Sequence, residues 1–312
     1  MTPGRGALAA MPMAKRLRLM RSQWQWYLLI APAIAYLLVF SYFPMYGVII
    51  AFKNYRVSRG ILGSGWVGLQ YFKQFITFPQ FGLILKNTLC ISLYSLATFP
   101  LSCILALMLN ELDNQRFKRT VQMVSYAPHF VSTVVVCSIV TLFLDRSNGI
   151  LNHLIVALGG ERNDWLSVPS MFSDIYVWSG VWQNAGWNSI IYIAALAAID
   201  PQLHEAAQID GASRLQRILH INLPGILPTA IIMFILDVGQ VMNMGFEKVF
   251  LMQNAQNTET SQVISTFVYE AGLINSDYGF STAIGLFNNI INIVLLLTVN
   301  KIAKKISDTS LF

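Results

Sequence analysis

Six long apolar stretches, separated by shorter polar ones, organise the chain. Residues 27–51, 87–110, 120–144, 175–199, 225–246 and 278–300 carry no Lys, Arg, Asp or Glu apart from Asp237. Each is near or above the roughly 20 residues that a helix needs to cross a hydrocarbon core. The pattern predicts an all-α, polytopic membrane protein with about six transmembrane helices. Of the 312 residues, 55% are hydrophobic and 12% charged, against about 25% charged in soluble domains, which leaves too little polar surface to cover a water-soluble globule. The expected organisation is a basic N-terminal segment over 1–21, a membrane domain over 22–305 and a short tail over 306–312.

The first apolar stretch is preceded by Lys15, Arg16, Arg18 and Arg21, and Ala33-Ile34-Ala35 mimics a cleavage site. Its apolar run continues to Phe52, so it reads as an uncleaved first helix rather than a leader. With the N-terminus inside, residues 1–26, 111–119, 200–224 and 301–312 hold 13 Lys/Arg, against 8 in the longer opposite loops. That asymmetry puts both termini and 200–224 in the cytoplasm. Cys90, Cys103 and Cys137 all fall within spans and read as apolar packing residues. The net charge of +6 calls for no nucleic acid, because residues 1–110 alone hold ten Lys/Arg and no acid.

The polar segment 200–224 has its own local logic. Asp200-Pro201 offers an N-cap followed by proline at the first helical position, and Gly211 is placed to close that helix. Ser213 with Gln216 forms a capping box that starts a second short helix, expected to stop at Leu223-Pro224 and Pro228 before the next span. The product is a helix–turn–helix whose second helix carries Leu215, Ile218 and Leu219 on one face. An apolar face on an intracellular loop wants a protein or lipid partner.

Two other patterns carry little. Gly63-Ser64-Gly65-Trp66-Val67-Gly68 satisfies a dinucleotide fingerprint but follows a span and opens no βαβ unit; it reads as a glycine-rich turn. His204-Glu205-Ala206-Ala207-Gln208 lacks the second histidine of a zinc-protease motif. GxxxxGK[ST] does not occur, so any ATP used must be hydrolysed by another subunit.

Glu205-Ala206-Ala207, Asp210-Gly211-Ala212 and Leu223-Pro224 resemble the "EAA…G…LP" loop of permease subunits in bacterial ABC importers. FPMYGVIIAFKNY (43–55), WVGLQYF (66–72), FKRTVQMVSYAPHF (117–130), GWNSIIYIAALAAIDPQLHEAAQIDGASR (186–214) and AIGLFNNIIN (283–292) are similar to its carbohydrate branch, the polysaccharide-type permeases in particular. The resemblance implies that 200–224 is a coupling helix seated in an ATPase groove. Ala206 and Ala207 would allow close approach, Glu205 would pair with a basic ATPase residue, Gly211 would permit the turn, and Asp210, Leu223 and Pro224 complete the motif. It also implies the partners: a second permease subunit, two ATPase subunits that hold ATP and Mg, and an extracytoplasmic sugar-binding protein, all at the bacterial inner membrane. No cofactor is expected on this chain, and no catalytic or metal site.

A path for saccharide should show aromatic and neutral hydrogen-bonding side chains at membrane depth. Three clusters qualify: Trp182, Gln183, Asn184, Trp187 and Asn188; Asp237, Gln240 and Asn243 at helical three-residue steps; and Asn288, Asn289 and Asn292. Polar groups inside a span are expensive unless they face a cavity or a partner helix. Hydrogen bonding between helices is the bland alternative for any one of them. Asp237, the only acid within a span, costs about 2.5–3.5 kcal/mol on an insertion scale if central. His129, beside Pro128, reads as a hydrogen-bonded structural residue.

Two further classes compete with an importer permease. A secondary transporter or channel would want broken-helix repeats or several embedded charges, and a membrane enzyme would want a clustered His/Asp/Glu set. Finally, loop 53–86 presents Lys53, Arg56, Arg59, Lys73 and Lys86 with no acid, on the side where positive charge is not expected. It either docks an acidic face of a binding protein or helps admit an acidic saccharide such as a uronate oligomer; both readings stay open.

Overall fold

The computed structural model describes residues 22–306, so the basic segment 1–21 and nearly all of the tail 306–312 lie outside the described residues. The fold is almost wholly helical. Helix α1 (Trp24–Phe52) is followed by a hairpin of two short strands, β1 (Lys53–Asn54) and β2 (Gly65–Trp66), antiparallel with Lys53 opposite Trp66. The glycine-rich stretch 63–68 forms the second half of that hairpin, and Gly68 takes φ +60°. Then come α2 (Gln70–Ile76), α3 (Phe81–Asn110), α4 (Gln115–Phe130), α5 (Thr133–Leu144), α6 (Ile150–Ala157) and α7 (Phe172–Ala197). The chain ends with α8 (Pro201–Ile209), α9 (Arg214–Val238), α10 (Phe246–Met252), α11 (Ile264–Ile274) and α12 (Tyr278–Ile306).

Among the described residues α1, α3, α9 and α12 are long and apolar enough to cross a membrane, and a fifth span is reached if α4 and α5 count as one. Helix α7 has 26 residues, about 39 Å at 1.5 Å per residue, but its polar cluster keeps it out of that set.

Three expectations need correction. The stretch 120–144 is not one helix: α4 and α5 meet at 105°. Pro128 disfavours continuation and Ser132 caps α5, its side chain accepting from the Val135 N–H. The second helix of 200–224 does not stop at Leu223-Pro224 but runs on as α9 to Val238. A π-turn over Ile218–Asn222 contains the carbonyl four residues before Pro224, and its wider path moves that group clear of the ring. The same device, Leu38–Tyr42, precedes Pro44 in α1. The stretch 225–246 is not continuous helix either: α9 ends at Val238 and the chain turns over Gly239–Gly245.

Packing divides into three apolar clusters. Phe75, Ile84, Met242, Ile264, Phe267, Phe280 and Ile284 join α2, α3, α11 and α12 at the hairpin end. Ile91, Cys137, Phe172, Val177, Val249 and Val263 fill the middle. Ala106, Tyr192, Leu196 and Ile226 close α3, α7 and α9 at the opposite end. Gly186 sets the approach of α7 to α4, since a Cβ there would overlap the Ser125 carbonyl.

At that opposite end, Arg214 pairs with Asp113 at 2.8 Å and Asn222 Nδ2 donates to Glu111 at 3.2 Å. The loop after α3 and the helix–turn–helix thus share one end of the bundle. The hairpin and Tyr278 share the other, where the Tyr55 and Tyr278 rings meet at 6.0 Å.

Candidate translocation cavity and helix–turn–helix

Capping geometry shapes α8. Asp200 accepts from the Gln202 N–H at 3.0 Å with Pro201 at the first helical position. At the other end Gly211 sits at φ +78°, and the Ala212 N–H returns to the Ala207 carbonyl at 2.9 Å, which closes the helix in the left-handed manner that glycine favours. Ser213 and Gln216 exchange both bonds of a capping box. Glu205, Ala206 and Asp210 are exposed while Ala207 is half-buried. Apolar Leu203, Ile209 and Leu215 are also exposed, Ile209 to 86%. Leu223 and Pro224 lie one helical stretch away, within α9.

A cavity of about 330 Å³ opens between α3, α7, α9 and α10, lined among others by Ser95, Ser102, Gln183, Asn188, Asp237 and Lys248. Its volume lies at the lower end of the roughly 300–1,000 Å³ range of ligand pockets. A second hollow of about 240 Å³ shares Ser95, Tyr176 and Asp237 with it and adds Gln240 and Asn243. Asn188, Asp237, Gln240 and Asn243 are exposed to this space. The row Gly180, Asn184, Asn188 and Tyr192 recurs every four residues, which puts all four on the cavity face of α7.

The sequence clusters are therefore split. Gln183, Asn184 and Asn188 line the cavity, yet Gln183 Nε2 donates to the Val131 carbonyl at 3.1 Å and Asn184 is held by His129 Nδ1 at 3.0 Å and the Gly180 carbonyl. Trp182 lies with Ile139, Phe143 and Trp178 on an apolar face of α5 and α7, away from the cavity. Trp187 stacks on the His129 ring, centroids 4.5 Å apart and planes at 6°. Asn288 donates to the Met242 carbonyl and to Asn243 Oδ1, while Asn292 accepts from the Met242 N–H, so these two hold the turn after α9 rather than face the cavity. Gln240 and Asn243 sit in that turn, joined by a side-chain bond of 2.9 Å, not at helical steps on a span. Sequence reasoning missed Lys248, which follows the apolar run 225–246 and was counted with the outer loops.

A bundle of apolar helices thus surrounds a polar cavity and carries an exposed helix–turn–helix at one end. Residues 98–308 match the family described as "Binding-protein-dependent transport system inner membrane component", and the chain belongs to that family. It is 43% identical to the "Polygalacturonan/rhamnogalacturonan transport system permease protein YteP" of Bacillus subtilis (strain 168), over 92% of this chain and 89% of that one. "Protein LplB" of the same organism is also 43% identical, over 94% and 92%. The solved structure described as "a bacterial ABC transporter involved in the import of the acidic polysaccharide alginate" superposes with a TM-score of 0.87 at 36% identity, covering 94% of this chain and 99% of that one. The chain is an ABC transporter permease, a non-enzymatic subunit integral to the inner membrane.

Proposed function

We propose that this permease moves an acidic oligosaccharide, of the uronate-containing kind, inward across the cytoplasmic membrane. The observation that carries the reading is the cavity itself, lined mainly by neutral hydrogen-bonding groups, with one carboxylate, Asp237, and one ammonium, Lys248, on its wall. The polygalacturonan/rhamnogalacturonan permease and the alginate importer support the substrate class. A second permease would complete the path, and two ATPase subunits holding ATP and Mg would supply the energy. An extracytoplasmic binding protein would deliver the glycan, as the alginate importer "in complex with alginate pentasaccharide-bound periplasmic protein" suggests. Both termini would be cytoplasmic. The helix–turn–helix 200–224 would seat in the ATPase through Glu205, Ala206, Ala207, Asp210 and Gly211. Closure of the ATPase dimer would then drive it and turn the spans from inward- to outward-facing.

The test is uptake from a panel of neutral and acidic oligosaccharides by the assembled transporter. Acidic members should be transported, and a transporter that takes neutral glycans alone contradicts the substrate assignment. In the same assay Asn188→Ala, which removes cavity-facing hydrogen bonds, should lower uptake roughly three- to tenfold. Trp182→Ala, on the apolar outer face, should stay within about twofold. Equal effects of the two variants would contradict the placement of the path.

A further inference from the structure

Lys248 is the one cationic side chain among the described residues that line the main cavity. Its Nζ donates to the Tyr176 carbonyl at 2.8 Å and lies 4.7 Å from the Tyr176 ring centroid. An ammonium has three donors, so two remain for a ligand. No carboxylate lies within 4.0 Å of Nζ; the ion pair of Arg214 with Asp113 is at the far end of the bundle. Gly180 keeps the head uncrowded, since a Cβ there would come within 3.2 Å of Nζ. A half-buried ammonium held only by a carbonyl and an aromatic ring is costly unless an anion visits it. Asp237, the cavity's one carboxylate, can accept sugar hydroxyls and repels a sugar carboxylate, which leaves the Lys248 side to take it. Exposed Arg56, Arg59, Lys73 and Lys86 belong to the hairpin end, where an anion would arrive.

We propose that Lys248 is the charge-selecting residue of the cavity, its ammonium binding a carboxylate of the passing saccharide. This rests on the acidic-saccharide reading above. The experiment uses the complete transporter with its binding protein in liposomes, and trigalacturonate as the probe. Lys248→Arg should keep at least about a third of wild-type uptake, whereas Lys248→Gln should lower it roughly tenfold or more. Lys248→Glu, isosteric with Gln, should fall to background because it differs only in charge. Equal uptake by the Gln and Glu variants above background, or wild-type uptake by Lys248→Gln, overturns the proposal. If neither assembles, Lys248→Met, neutral and of similar length, decides: it should lower trigalacturonate uptake roughly tenfold, and wild-type uptake overturns the proposal. Wild-type transport of trigalacturonate with a normal Lys248→Gln variant removes Lys248 alone. A wild-type transporter that moves neutral trisaccharide but not trigalacturonate removes the substrate class as well.

Discussion

Gly211→Asp is expected to abolish substrate-stimulated ATP hydrolysis while the chain still inserts and folds. The glycine holds φ +78° at the tip between α8 and α9, and a Cβ there would meet nothing within 4 Å. Within this chain the cost is therefore conformational alone, about 1–2 kcal/mol for a residue forced left-handed and less for aspartate, which tolerates that region better than most. The larger penalty falls on the partner. The new carboxylate projects from the same exposed tip as Ile209, and an unpaired charge in a docked interface costs about 3–5 kcal/mol. That is enough to separate the ATPase stroke from the spans. ATP hydrolysis by the purified complex, with and without glycan-loaded binding protein, reads the effect. Undiminished stimulation would sink the docking assignment. Glu205→Lys should act in the same direction, since Glu205 is exposed on α8, the short helix that Gly211 closes.

Gly186→Ala should cost the folded protein more than any cavity variant. The glycine is buried on α7 where that helix presses on α4, and the added Cβ would overlap the carbonyl of Ser125. The obstacle is backbone, which cannot swing aside as a side chain can, so α4 and α7 must separate. Overpacking of this kind costs about 1–3 kcal/mol or more. The shift would also disturb the His129–Asn184 bond and the His129–Trp187 stack, which tie the same two segments. Thermal unfolding in detergent should show a clearly lowered midpoint and reduced yield. Gly285→Ala, in mid-α12 with no atom within 4 Å of the added Cβ, should be neutral or slightly stabilising. Equal midpoints for the two variants would contradict the packing of α7 on α4.

The helix ends were the most legible part of the chain, because capping is local. Asp200, Gly211, Ser213 and Gln216 act on residues two to five positions away, so sequence alone discloses them. Hydropathy disclosed the apolar stretches but not their joints. The bend at Phe130–Ser132 and the run of α9 through Pro224 depend on how a turn widens or breaks around a proline, which composition does not register. Among the candidate path residues, the sequence pattern marked polar and aromatic side chains on α7 without saying which face they take. Trp182 and Asn188 are equally conspicuous by type, yet they belong to different rows of the helix. A stricter use of the four-residue row from Gly180 to Tyr192 could have separated them. Lys248 left a weaker signal, a single cation just beyond a long apolar run. Its place beside Tyr176 comes from the turn over Gly239–Gly245 folding α10 back against α7.

The most direct measurement is glycan uptake into sealed vesicles bearing this chain with its copurified partners, with ATP supplied or withheld on the ATPase side. An importer permease predicts that an ATPase subunit copurifies, and that uptake requires hydrolysable ATP and persists when ion gradients are collapsed. Uptake that proceeds without ATP and disappears with the ion gradient would instead make the chain a secondary transporter, and would contradict the account.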